Sequence, residues 1–100
     1  MKVYLDDERE TPAGWIRVFW PEEAIKLLKT GKVSASSLDH DLGDDQRGTG
    51  YDVILWIENA VAVDGFSAPH IMVHSANSSA RLKMEAGILA IQRLQELNQC

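Results

Sequence analysis

Cysteine is almost absent from this sequence: Cys100 is the only one. A disulfide framework and a cysteine-based zinc site within one chain are thereby excluded, and a reducing compartment, hence the cytoplasm, is expected. Basic charge is also scarce. Ten Lys and Arg face fifteen Asp and Glu, a formal net charge of −5, which argues against extended binding along a nucleic-acid backbone. A phosphate-bearing small molecule or an RNA end remains open as a partner, because clustered carboxylates can hold a cation and the cation then meets the phosphate. No apolar run approaches a membrane span, so no membrane association is expected. The opening MKVYLDDERE turns acidic early, unlike a signal peptide. There is no repeat, low-complexity tract or linker. The chain is otherwise ordinary: 45% hydrophobic and 25% charged over 100 residues, enough for one domain, 1–100, with a modest core.

Periodicity and punctuation give the order of elements. KVYL at 2–5 is a buried strand cut off by the charged run from Asp6 to Glu10. WIRVFW at 15–20 is aromatic and β-branched and reads as a second strand. PEEAIKLLKTG at 21–31 carries proline at the first helical position, glutamates in the first turn, lysines later and a closing glycine; Ala24, Ile25 and Leu28 share a face. VSASSLD at 33–39 is a serine-diluted strand, and LGDDQRGTG at 42–50 a polar loop. Residues 51–61 form a helix with Val53, Ile54, Ile57 and Val61 on one stripe. HIMVHS at 70–75 is a strand, and 78–98 a long helix with Met84, Ile88 and Ile91 on one side, capped by Asn77 or Ser78. Strands alternating with helices imply an α/β fold: a four-stranded, mainly parallel sheet with about three helices. The link between the first two strands is only about ten residues and has no helix, short for a parallel crossover, so the second strand's placement is left open.

Ligands of parallel sheets bind at the carboxyl ends of the strands. Here those ends carry Asp6-Asp7-Glu8, Asp39-His40-Asp41 and His74-Ser75-Ala76-Asn77, and the fold brings all three to one rim. Carboxylates this close repel unless a cation intervenes, and hard oxygen ligands without thiols suit Mg²⁺ or Mn²⁺. Asp7 and Asp39 are the first choice of ligands, followed by Asp6. His40 and His74 are candidate proton carriers or borderline metal ligands. Ser75, Asn77, Arg81, Arg9 and the backbone N–H groups opening the last helix are candidates for holding an anion. Each has a plainer reading. Asp6, Asp7 and Glu8 also suit a solvated loop, and Asp39 and Asp41 a turn or cap. His74 also suits a satisfied core position, His70 a structural one, and Asn77 and Ser78 helix caps. Asp44 and Asp45 read as solvated loop charges, and Trp15, Trp20 and Trp56 as packing. Agreement among three strand ends favours the metal-and-phosphate reading. A zinc site of His40, His74 and aspartates is the lesser alternative.

Four motifs in order carry a family resemblance: LDDER after the first strand, SLDHDLG after the third, GYDVILWI opening the next helix and VHSAN after the fourth strand. Over about residues 2–92 the chain resembles the cyclic-phosphate processing receiver family and, more broadly, response-regulator receiver domains. The resemblance implies a reduced receiver (flavodoxin-like) fold lacking the first helix and fifth strand. It implies that Asp6 and Asp7 correspond to the acidic pair that holds Mg²⁺. Asp39 then corresponds to the phosphoacceptor, Asp41 to the residue whose carbonyl assists the metal, and Ser75 to the hydroxyl that contacts the phosphoryl group. The lysine that receivers carry after a fifth strand has no counterpart, and Lys83, inside the last helix, is a poor substitute. An aspartyl-phosphate switch is therefore expected to be impaired, and the resemblance implies action on a cyclic phosphate, either 2′,3′-cyclic phosphate RNA ends or cyclic nucleotides. Together with the acidic rim and its histidines, the leading expectation is a metal-dependent phosphoesterase. Asp39, His40 and His74 would do the chemistry. The alternative is a non-enzymatic receiver-like signalling or ligand-binding module.

Overall fold

The computed structural model describes residues 1–98, so Cys100 lies outside the described residues. The elements run β1 (Lys2–Leu5), β2 (Ile16–Val18), α1 (Pro21–Leu28), β3 (Ala35–Leu38), α2 (Gly50–Asp64), β4 (His70–Val73) and α3 (Ser78–Asn98). The sheet is four-stranded with order β2-β1-β3-β4, and every neighbouring pair is parallel. This is the receiver-like α/β arrangement with three helices. No described helix is long and apolar enough to cross a membrane.

Register explains the layering. Leu5 pairs with Val18 and Leu38, and Leu38 with Val73; Val3 pairs with Ile16 and Ser36, and Ser36 with Ile71. Paired residues point to the same face and successive residues to opposite faces. Val3, Leu5, Val18, Leu38 and Ile71 thus share a face, and they join one buried cluster with Ala24 and Leu28 of α1, Ile54 and Ile57 of α2, and Met84 and Ile91 of α3. The opposite face carries the row Arg17, Tyr4, Ser37, Met72. Trp15, from the β1–β2 link, meets the Tyr4 ring edge-on at 6.3 Å.

The open question of β2 is answered by that link. β2 lies parallel to β1 at the sheet edge without a crossover helix. Because β2 starts opposite Val3, the chain leaving Leu5 need travel back only two residues, roughly 7 Å at strand rise. A non-helical link of this length suffices.

Several boundaries differ from the sequence reading, each for a local reason. The second strand shortens from 15–20 to Ile16–Val18 because the N–H groups of Phe19 and Trp20 both donate to Glu23 Oε1, 3.1 Å away, which starts α1. The fourth strand ends at Val73, level with the end of its partner β3. α2 runs on to Asp64, beyond its apolar stripe, until Gly65 at φ 65° supplies the left-handed cap. At its other end the Thr49 hydroxyl accepts from Tyr51 N–H, and Asp52 accepts from Thr49 N–H, closing a capping box. Asn77 caps α3, its Oδ1 accepting from Ala80 N–H at 3.1 Å.

Candidate metal and phosphate site

The site is a consequence of strand register. Leu5, Leu38 and Val73 lie side by side, so the next residues, Asp6, Asp39 and His74, emerge together. The parallel ladder continues through them: Asp6 N–H donates to Val18, Asp39 N–H to Leu5 and His74 N–H to Leu38. Alternation turns all three side chains to the face opposite the helical core, beside Tyr4 and Ser37. One donor atom from each residue lies within 4.8 Å of the others. Asp6 is fully buried and Asp39 nearly so.

Asp6 is the most elaborately held. Its Oδ1 accepts from the backbone N–H groups of Glu8 (2.8 Å) and Arg9 (2.9 Å). Its Oδ2 accepts from Arg9 Nη1 and lies 3.0 Å from His74 Nε2. Burial alone pushes this carboxyl up, but the two backbone donors, the guanidinium and the imidazole outweigh it and hold Asp6 at about 2. Asp39 is shifted the other way. Burial and the charge of Asp6 raise it against the opposing pull of His40 N–H, Arg9 and His74. Its Oδ1 accepts from His40 N–H at 2.8 Å, and its Oδ2 lies 3.5 Å from Arg9 Nη1.

His74 has both ring nitrogens engaged. Nε2 faces Asp6 Oδ2, and Nδ1 lies 2.7 Å from Ser37 Oγ. Burial lowers its pKa, with Asp6 opposing, so the neutral ring is favoured. With Asp6 ionised, Nε2 carries the proton and Nδ1 accepts from the Ser37 hydroxyl. The ring stacks on Tyr4, centroids 4.4 Å apart and planes 3° apart.

A cavity of about 390 Å³ opens over Asp6 and Asp39, walled by Asp7, Arg9, Asp41 and Ala76 among others; His74 stands behind the two carboxylates and is not in its lining. Asp7 and Asp41 therefore stand at the wall, and Asp6, Asp39 and His74 form the cluster. His40 places Nδ1 2.8 Å from Asp41 Oδ1. Ser75 is buried and its Oγ accepts from Asn77 N–H at 3.1 Å, while Asn77 Nδ2 reaches towards Asp41 at 3.5 Å. Arg81 Nε pairs with Glu85 at 3.1 Å and does not line the cavity. Lys83 lies 4.0 Å over the Tyr51 ring.

Sequence reasoning did not single out Tyr4 and Ser37. The signal was present: alternation back from Asp6 and Asp39 puts both on the site's face. It also did not foresee that Arg9 would bridge the two buried carboxylates. His70, at the far end of β4, is exposed and remote from the cluster, and Asp44 Oδ1 closes a turn by accepting from Gln46 N–H.

No significant match exists among curated proteins or solved structures. The profile of the Cyclic-phosphate processing Receiver domain matches residues 1–90, which include β1 to β4, every residue of the cluster and the cavity wall. With nine-tenths of the chain matched and the receiver-like sheet presenting its acidic rim, the chain belongs to the cyclic-phosphate processing receiver family.

Proposed function

We propose that this domain is a metal-dependent phosphoesterase that hydrolyses cyclic phosphates, either 2′,3′-cyclic phosphate RNA ends or cyclic nucleotides. The observation that carries the reading is the meeting of Asp6, Asp39 and His74, with both carboxylates lining an open cavity, in a family named for cyclic-phosphate processing. The donor set fits a divalent cation. One carboxyl is held ionised and its charge opposes ionisation of the other, so a cation between them relieves both. Two carboxylates with one imidazole suit Mn²⁺ or Mg²⁺. Zn²⁺ is less favoured, since its closed sites use more nitrogen or sulfur donors.

Asp6, Asp39 and His74 would hold the ion, with Asp7 and Asp41 beside it. A bound divalent ion supplies charge to the phosphoryl oxygens and lowers the pKa of a water. Of the two histidines His40 is the freer to carry a proton, because Asp41 holds its Nδ1 and leaves Nε2 free of protein partners among the described residues. His74, tied at both nitrogens, serves as ligand. Arg9 at the cavity wall, the Ser75 hydroxyl and the Asn77 amide would orient the phosphate. Arg81 would have to leave Glu85 to join them.

The alternative is a receiver-like module that signals by ligand occupancy. Its aspartyl-phosphate form is disfavoured, because no fifth strand delivers a lysine among the described residues and Lys83 is stacked on Tyr51. The test is incubation with cyclic mononucleotides, cyclic oligonucleotides and cyclic-phosphate-ended RNA, with and without Mn²⁺, read by mass. Gain of one water in the presence of metal supports the esterase. Stoichiometric binding without product selects the module.

A further inference from the structure

A cation already sits between the two buried carboxylates, and it belongs to the chain. Arg9 Nη1 lies 3.0 Å from Asp6 Oδ2 and 3.5 Å from Asp39 Oδ2. These carboxylates are the ones that, with His74, could hold a metal ion. An oxygen that donates a lone pair to a metal cannot keep the same lone pair on a guanidinium N–H, and two cations this close repel. Metal and guanidinium therefore compete.

The rest of Arg9 is built for exchange. Its backbone N–H donates to Asp6 Oδ1, so the residue stays anchored when its side chain moves. Its side chain is 44% exposed at the cavity wall, and its ion pairs both run through Nη1. Arg17, the other arginine at Asp6, is unsuited to this role: its Nε donates to the Asp6 carbonyl and its Nη2 is buried.

We propose that Arg9 is an exchangeable internal cation. It neutralises Asp6 and Asp39 when no metal is bound, is displaced by a divalent ion, and then pairs with a phosphoryl oxygen at the cavity mouth. Metal binding and phosphate capture are coupled in this way by one side chain, and the metal-free protein keeps its acidic pair together. The inference rests on the metal-site reading above and assigns it a built-in order, metal before phosphate.

The test is Mn²⁺ binding followed by electron paramagnetic resonance, for the wild-type chain and Arg9→Ala, with inorganic phosphate added afterwards. Removing the competitor is expected to tighten Mn²⁺ about tenfold, the scale set by loss of a charge-assisted hydrogen bond. The variant is also expected to lose most of the Mn²⁺-dependent phosphate binding. Mn²⁺ binding that is unchanged or weaker in Arg9→Ala overturns the exchange while leaving the metal site standing. Unchanged phosphate binding overturns its second half. No Mn²⁺ binding by either protein overturns the metal-site reading and the exchange together. Should Arg9→Ala fail to fold, the wild-type chain reports directly: the Arg9 Nε–H resonance must shift as Mg²⁺ is added, and a fixed resonance in metal-bound protein contradicts the exchange.

Discussion

His74 Nε2 and Asp6 Oδ2 lie 3.0 Å apart although 68 residues separate them. Two parallel strand pairings in exact register bring them together, β1 with β3 and β3 with β4. The Ser37 hydroxyl on the far side of the imidazole completes a chain from strand to strand. That chain fixes which nitrogen bears the proton, and it makes the tautomer a reporter of the site.

In metal-free protein the His74 ring is expected to be the Nε2–H tautomer. Ligation through Nε2 requires the lone pair there, so the proton moves to Nδ1 and the Ser37 hydroxyl turns from donor to acceptor. Long-range ¹H–¹⁵N spectra with and without a diamagnetic ion such as Mg²⁺ read this switch. A ring that keeps its Nε2 proton in metal-bound protein removes His74 from the ligand set.

The two carboxylates are expected to respond to neutralisation in opposite directions. Asp6→Asn places an NH₂ group where Asp6 accepts from donors and costs about 1.5–3 kcal/mol, a fall of several degrees in Tm for a domain of this size. Asp39→Asn relieves a buried charge held beside another and is expected to raise the Tm of the metal-free protein. Thermal melts in chelator check both signs. A matched loss of stability in the two variants would falsify the contrasting environments assigned to them.

The pH dependence of stability follows from the same pair. Asp6 is held at about 2 in the folded state, below its unfolded value of about 3.9. Its contribution is therefore fully present above about pH 4 and is lost as pH falls towards 2. Asp39 is raised, so it penalises the fold above its unfolded value and the penalty fades as acid protonates it. Urea melts from pH 6 to 2.5 are expected to show acid destabilisation that shrinks in Asp6→Asn. In Asp39→Asn it should steepen, because the compensating gain is gone. Identical pH profiles for all three proteins contradict the assignment.

Gly50 is expected to be as sensitive as a ligand although it has no side chain. It opens α2 against the end of β3, where its N–H donates to the His40 carbonyl at 3.2 Å. A Cβ there would clash with the backbone carbonyl of Asp39, which cannot rotate away as a side chain could. Gly50→Ala is expected to cost about 1–3 kcal/mol by overpacking and to weaken Mn²⁺ binding by shifting Asp39. Gly65→Ala, strained at its positive φ but remote from the rim, serves as the comparison: it should lose stability and keep its metal affinity. Equal metal affinity in both variants contradicts the positioning role of Gly50.

Much of this was legible in the sequence, unevenly. The α1 start at Pro21 and the order of strands and helices followed from caps, charges and periodicity. The convergence of three polar strand ends followed from the parallel sheet, because every strand then ends on the same side. The selection among the acidic residues did not follow. Asp6 and Asp7 are adjacent and chemically identical. Only the register, with Leu5 level with Leu38 and Val73, places Asp6 at the floor and Asp7 at the wall. Arg9 was legible as an anion ligand but not as a bridge, since its side-chain path depends on the turn made when Asp6 accepts two backbone N–H groups. The short second strand was hidden by Phe19 and Trp20, which look like strand residues until Glu23 takes their N–H groups.

The most direct measurement is hydrolysis of 2′,3′-cyclic AMP with Mn²⁺ by wild-type protein and Asp39→Asn, both first shown to be folded. Hydrolysis that requires Mn²⁺ and falls about a hundredfold or more in the variant is the expected result, because losing even an outer-shell partner of a metal costs about 10–100-fold and Asp39 would hold the ion itself. Hydrolysis that is indifferent to chelator, or undiminished in Asp39→Asn, contradicts a reaction centred on Asp6, Asp39 and His74.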